Sequence, residues 1–213
     1  MKQKIMYLTI TAFSFALLFL PSTVNAEVEV TGLKEVVDEE IQLFKDADGY
    51  SEAVEELESM DLSNYKESDE KVNVYLFRGS SCSHCFDAVT FFASITEEYG
   101  DYFNLRAYEV WSNTDNSDLM TKVGDKLGDD VSGVPYIVVG EKSWSGFTDS
   151  YGDEIKSEIK SQYEKDKNDR YDILTELDQK STDSTSSDII AIIIIILVVG
   201  GITTGIIMAR KNV

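Results

Sequence analysis

Cysteine, proline and histidine are all scarce in this chain of 213 residues: it has two, two and one of them respectively. Two cysteines cannot build a multi-disulfide scaffold. With a single histidine they cannot complete the four-ligand set of a structural zinc site either. Basic residues are few as well, 19 Lys plus Arg against 39 Asp plus Glu, for a formal charge of −20. A surface that acidic repels phosphate groups, which excludes nucleic-acid binding as a leading function and argues against docking on anionic lipid headgroups. No motif calls for a metal or other cofactor, and no internal repeat is visible.

Apolar sequence is plentiful at the two ends. Residues 1–26 combine a basic start (Lys2, Lys4), an apolar run from Ile5 to Leu20, Pro21, and a small or polar finish at Val24-Asn25-Ala26. This is the pattern of a secretory signal peptide with cleavage after Ala26, an uncleaved anchor being the alternative. Residues 189–209 contain no charge and, as a helix, would reach about 31 Å, the thickness of a bilayer core. Arg210 and Lys211 open the tail 210–213 and assign it to the cytoplasmic side. Residues 178–188 are polar, without a large apolar side chain, and read as a flexible stalk. The expected topology is a cell-membrane protein held in the lipid bilayer by one span, with its acidic domain extracytoplasmic, where disulfides persist.

Between the ends, residues 27–69 are expected to form a helical extension. Leu33, Val36, Val37, Ile41 and Phe44 recur at helical spacing, Ala53, Leu57 and Met60 suggest a second short helix, and Asp46-Ala47-Asp48-Gly49 forms the turn between them. Residues 70–177 read as an α/β domain. Strands are expected at Val72–Phe77, Leu105–Trp111, Val134–Val139 and Lys142–Phe147. One helix should carry Cys85, Val89, Phe92, Ile95 and Tyr99 on one face. Another should span 115–127 with Leu119, Val123 and Leu127 inward, and Ile155, Ile159 and Tyr163 mark a third. Ile173, Leu174 and Leu177 suggest one more. The order β-α-β-α-β-β-α implies two parallel strands followed by a hairpin.

The chemistry concentrates in Cys82-Ser83-His84-Cys85, where a buried strand hands over to a helix. A cysteine at a helix N-terminus faces unpaired N–H groups and the positive end of the dipole, which favour thiolate over thiol. Cys82 is therefore expected to attack, and Cys85, one turn on and more buried, to resolve the mixed disulfide. His84, with Ser83, is placed to tune the Cys82 thiolate, the bland alternative being a solvated helix residue. A purely structural disulfide over so short a loop would restrain the unfolded chain little. Inert thiols suit an oxidising compartment poorly.

These residues, together with Gly133-Val134-Pro135 opening an apolar strand some fifty residues later, resemble the thioredoxin superfamily over roughly residues 70–165. The resemblance implies a thioredoxin-like fold, a cis Val134–Pro135 bond packed against the disulfide, and Val134 presenting backbone groups to a substrate strand. It departs from the family pattern at Leu76, where thioredoxins have an acidic residue, and at Ser81, where they have Trp. Glu109 and Asp87 are the candidates for the missing proton relay to Cys85. The Ser-His dipeptide is more similar to those of disulfide-forming and isomerising members than to the Gly-Pro of reductants. The expected function is thus thiol–disulfide exchange with secreted or membrane protein substrates, in the oxidase or isomerase direction, with a membrane redox partner to recycle the pair. A reductase fed by a membrane electron donor is one alternative. A non-catalytic, surface-tethered binding module is the other.

Overall fold

The expected strand at Val72–Phe77 is the centre of a four-stranded sheet. The computed structural model describes residues 28–178; the expectations for residues 1–26, for most of the stalk, and for 189–209 and 210–213 lie outside the described residues. Among the described residues no helix is long and apolar enough to cross a membrane.

In chain order the elements are α1 (Leu33–Phe44), α2 (Ser51–Ser59), β1 (Val72–Arg78), α3 (Ser83–Ser94), α4 (Thr96–Tyr99), β2 (Phe103–Glu109), α5 (Thr114–Leu127), β3 (Tyr136–Val139), β4 (Lys142–Ser145) and α6 (Asp149–Tyr163), with residues 173–178 also helical. The fold is mixed α/β. Sheet order is β2-β1-β3-β4, with β1 and β2 parallel from Val72↔Phe103 to Arg78↔Glu109 and with β1–β3 and β3–β4 antiparallel. The β3–β4 hairpin turns through Gly140 and Glu141, and Gly140 supplies the positive φ (59°) that a tight hairpin needs.

Period-2 alternation sorts the strand residues onto two faces. Val74, Leu76, Leu105, Ala107, Ile137 and Val139 join one core with residues of α1, α3 and α6, while Tyr75, Phe77, Tyr108, Tyr136 and Val138 join a second with Met120, Val123 and Ile173. The sheet is therefore covered on both sides. On the second side Asp172 accepts hydrogen bonds from the Tyr75 hydroxyl (2.7 Å) and from Asn73 Nδ2 (3.0 Å), pinning the start of the last helix to β1.

Several boundaries differ from expectation for physical reasons. The second strand is Phe103–Glu109 rather than Leu105–Trp111, because Glu109 turns the chain by collecting the N–H groups of Trp111 and Ser112, and Trp111 stands 61% exposed. The third and fourth strands are shorter than drawn: β3 begins only after the Val134–Pro135 bond, and β4 ends before Gly146, whose N–H donates to the Pro135 carbonyl (2.7 Å). The single helix expected through Tyr99 breaks at Ile95 into α3 and α4. On α5, Met120 and Val123 are buried while Leu119 and Leu127 are only partly so. The extension is also no appendage: Leu33, Val36, Val37, Ile41 and Phe44 belong to the same core as the sheet, and Thr31 bridges Ala107 on the outer edge of β2.

Candidate functional site

Cys82 ends the loop that leaves β1 and caps α3. Its Sγ accepts from Cys85 N–H (3.2 Å), and its carbonyl accepts from the N–H groups of Cys85 and Phe86 (both 3.0 Å). The sulfur thus does what a Ser or Asp oxygen does at other helix starts. Cys82 and Cys85 are joined as a disulfide, with Cα atoms 5.1 Å apart. Cys82 is 9% exposed and Cys85 fully buried, so Cys82 is the less buried of the two. The preceding residue, Ser81, adopts φ 61°, a left-handed conformation costing a non-glycine residue about 1 kcal/mol, and strain of this kind gathers at functional loops.

The other expected site residues are near in sequence or space. The Val134–Pro135 bond is cis, Pro135 is buried, and the Val134 carbonyl oxygen lies 3.9 Å from Cys82 Sγ. Ser83 and His84 are exposed on the first turn of α3, and the contact His84 makes is with Asp87, Nδ1 to Oδ2 3.6 Å.

Both carboxylates considered for the proton relay have partners other than Cys85. Asp87 is on the exposed side of α3 beside His84. Glu109 accepts from Ser80 N–H (3.2 Å), the Ser80 hydroxyl (3.4 Å), Trp111 N–H (3.0 Å), Ser112 N–H (2.9 Å) and the Ser112 hydroxyl. Partial burial would raise its pKa, but the hydrogen bonds from Ser112, Trp111 and Ser80 outweigh that and pull it down to about 2. Glu109 is a brace between the β2 turn and the cysteine loop.

Sequence reasoning missed three residues here. Arg78, 2% exposed at the end of β1, pairs with Glu39 and with Glu40 (Nη1 to Oε1 3.0 Å). Burial pushes the Glu40 carboxyl up to about 7, with Arg78 pulling the other way and Glu39 adding to the rise. The signal was available: position 40 falls on the apolar face of α1, one turn from Val36 and Phe44. The third is Trp111, whose ring is seated directly over Gly79; a β-carbon at that glycine would overlap it. Its signal was weaker, an aromatic followed at once by Ser112-Asn113-Thr114. Next to the site, Phe86 packs its ring against Phe44 (4.8 Å) and Tyr50 (5.4 Å), fixing α1 against the cysteine helix.

The arrangement can therefore hold a disulfide at a helix start, with the sulfur of the less buried cysteine stabilised by an N–H. Comparison with family models, with curated proteins and with solved structures returned no match to this chain.

Proposed function

We propose that this chain is a membrane-anchored, extracytoplasmic thiol–disulfide oxidoreductase with a thioredoxin-like fold, acting through Cys82 and Cys85. The observation that carries the reading is the disulfide at the N-terminus of α3, with Cys82 Sγ accepting the Cys85 N–H and Cys82 the more exposed of the pair. The element order, with β1 and β2 parallel and β3–β4 a hairpin, and the cis Val134–Pro135 bond near Cys82 support the finer fold assignment.

In the oxidising direction a substrate thiolate attacks Cys82 Sγ. The Cys82–Cys85 bond breaks, and the Cys85 sulfur leaves with the electron pair and takes up a proton. A second substrate thiolate then attacks the substrate sulfur of the mixed disulfide, and Cys82 departs as thiolate. The substrate ends with a disulfide, the protein with a dithiol, and a membrane redox partner restores the pair. The N–H at the helix start holds charge on Cys82 and makes it the better leaving group. His84 and Ser83, exposed beside it, are positioned to tune that charge, and Val134 to pair with the substrate backbone.

The test is trapping: Cys85→Ser should accumulate mixed disulfides with secreted or membrane proteins, and Cys82→Ala should not. If Cys82→Ala retains full exchange with a reduced model substrate, the reading fails. The redox potential assigns the direction, near about −120 mV for an oxidant and near about −270 mV for a reductant.

A further inference from the structure

Beside the cysteine loop the structure has a cleft of about 540 Å³ that the disulfide chemistry itself does not use. Ser80, two residues before Cys82, lines it, and so do Glu109, the exposed face of α1 with Asp38, Glu39 and Leu43, and, from β1, Arg78. The cationic charge of Arg78 is already engaged by Glu39 and Glu40, so it does not neutralise Asp38 or Glu109. Its Nε–H is buried and without an acceptor. Of the four large hydrophobic side chains that stand exposed among the described residues, Leu43 lines the cleft, and Trp111 lies outside the lining but in sequence between Glu109 and Ser112, which both line it. Trp111 rests on Gly79 and so lies next to the loop that carries Cys82.

We propose that this cleft docks the polypeptide that exchanges with Cys82, and that it selects a basic segment: a cysteine flanked by Lys or Arg, with an apolar or aromatic side chain against Trp111 and Leu43. The proposal rests on the exchange reading and names its substrate class. Carboxylates from α1 and from the end of β2 line the cleft, where they attract cations and repel a second copy of this acidic chain. The exposed indole offers a face for stacking and for cation–π contact. Attraction of this kind raises encounter rates and fades as salt rises.

The experiment follows reduction of the disulfide in the full-length chain by two synthetic peptides of the same length, each with one cysteine and one Phe, flanked by Lys in one and by Glu in the other. Each rate is divided by that variant's rate with the uncharged thiol dithiothreitol. The Lys peptide should be faster by at least about tenfold at low salt, and the gap should close towards 0.5 M salt, taken as roughly the range where screening is strong. Asp38→Lys should abolish most of the preference and Trp111→Ala should slow the Lys peptide. Asp101→Lys, the same charge change at the opposite end of β2, should leave the preference intact. Equal rates for the two peptides, or a preference that Asp101→Lys reduces as much as Asp38→Lys, would overturn the docking proposal while leaving the exchange reading standing. No reaction with dithiothreitol or either peptide would overturn both.

Discussion

Glu109 offers the sharpest structural prediction, because one carboxylate holds three backbone N–H groups and two hydroxyls across two turns. In Glu109→Ala those donors turn to water, since Glu109 is only partly buried. At ~0.5 kcal/mol net for each lost bond, with the long Ser80 hydroxyl bond (3.4 Å) adding little, the expected destabilisation at pH 7 is about 2 kcal/mol. The pH dependence gives an independent figure. The folded pKa of about 2 lies below the ordinary glutamate value of 4.5, so the brace stabilises the fold above pH 4.5 and is lost as pH falls from 4.5 towards 2. The nominal shift, discounted for solvent screening of a partly exposed group, corresponds to ~1–2 kcal/mol. The two figures agree in size. Urea unfolding of wild type and variant at pH 7 and near pH 2.5 tests both: the gap should be about 2 kcal/mol at the first and should largely vanish at the second. Quenching of Trp111, read against the buried Trp144, should rise in the variant. A gap that does not change with pH would refute the assignment of the brace to the ionised carboxylate.

Three further outcomes follow from the packing. Phe44→Ala removes a buried ring in contact with Phe86 and Tyr50, and should cost ~3–4 kcal/mol by chemical denaturation; a loss under about 1 kcal/mol would mean that α1 does not contribute to the shared core. Glu40 has the opposite sign to Glu109: its folded pKa is raised to about 7, so its contribution is full below pH 4.5 and is lost as pH rises through 7. The stability difference between wild type and Glu40→Gln should therefore shift by up to ~3 kcal/mol against wild type between pH 4.5 and 7, and parallel stability curves would exclude it. Gly79→Ala must displace the Trp111 ring, so its indole emission should change while Gly128→Ala, where no atom stands near, leaves that emission unaltered.

Much of the architecture was legible because burial writes itself into periodicity. Val72–Phe77, apolar and aromatic but for Asn73, and Val134–Val139 are nearly continuous apolar runs since their strands are covered on both faces. The helical spacing of Leu33, Val36, Val37, Ile41 and Phe44 gave α1 correctly. What periodicity cannot state is which core a helix joins, and so the spacing of α1 did not tell that it shares the sheet's interior. The cysteine pair was legible from spacing alone. Its surroundings were not, because Glu109, Arg78 and Trp111 act through backbone donors, a paired charge and a contact with glycine, none of which leaves a period. Glu40 was hidden for a different reason: a carboxylate on an apolar face is discounted unless its partner is known, and Arg78 is 38 residues away.

The account rests on Cys82 being an ionisable and accessible sulfur at a helix start. In Cys85→Ser it is the only thiol in the chain, so the pH dependence of its alkylation by iodoacetamide under native conditions measures that property directly. The predicted midpoint is at or below about 7.5, against about 8.5 for a free cysteine. A midpoint at 8.5 or above, or a thiol that reacts only when the protein unfolds, would contradict the account.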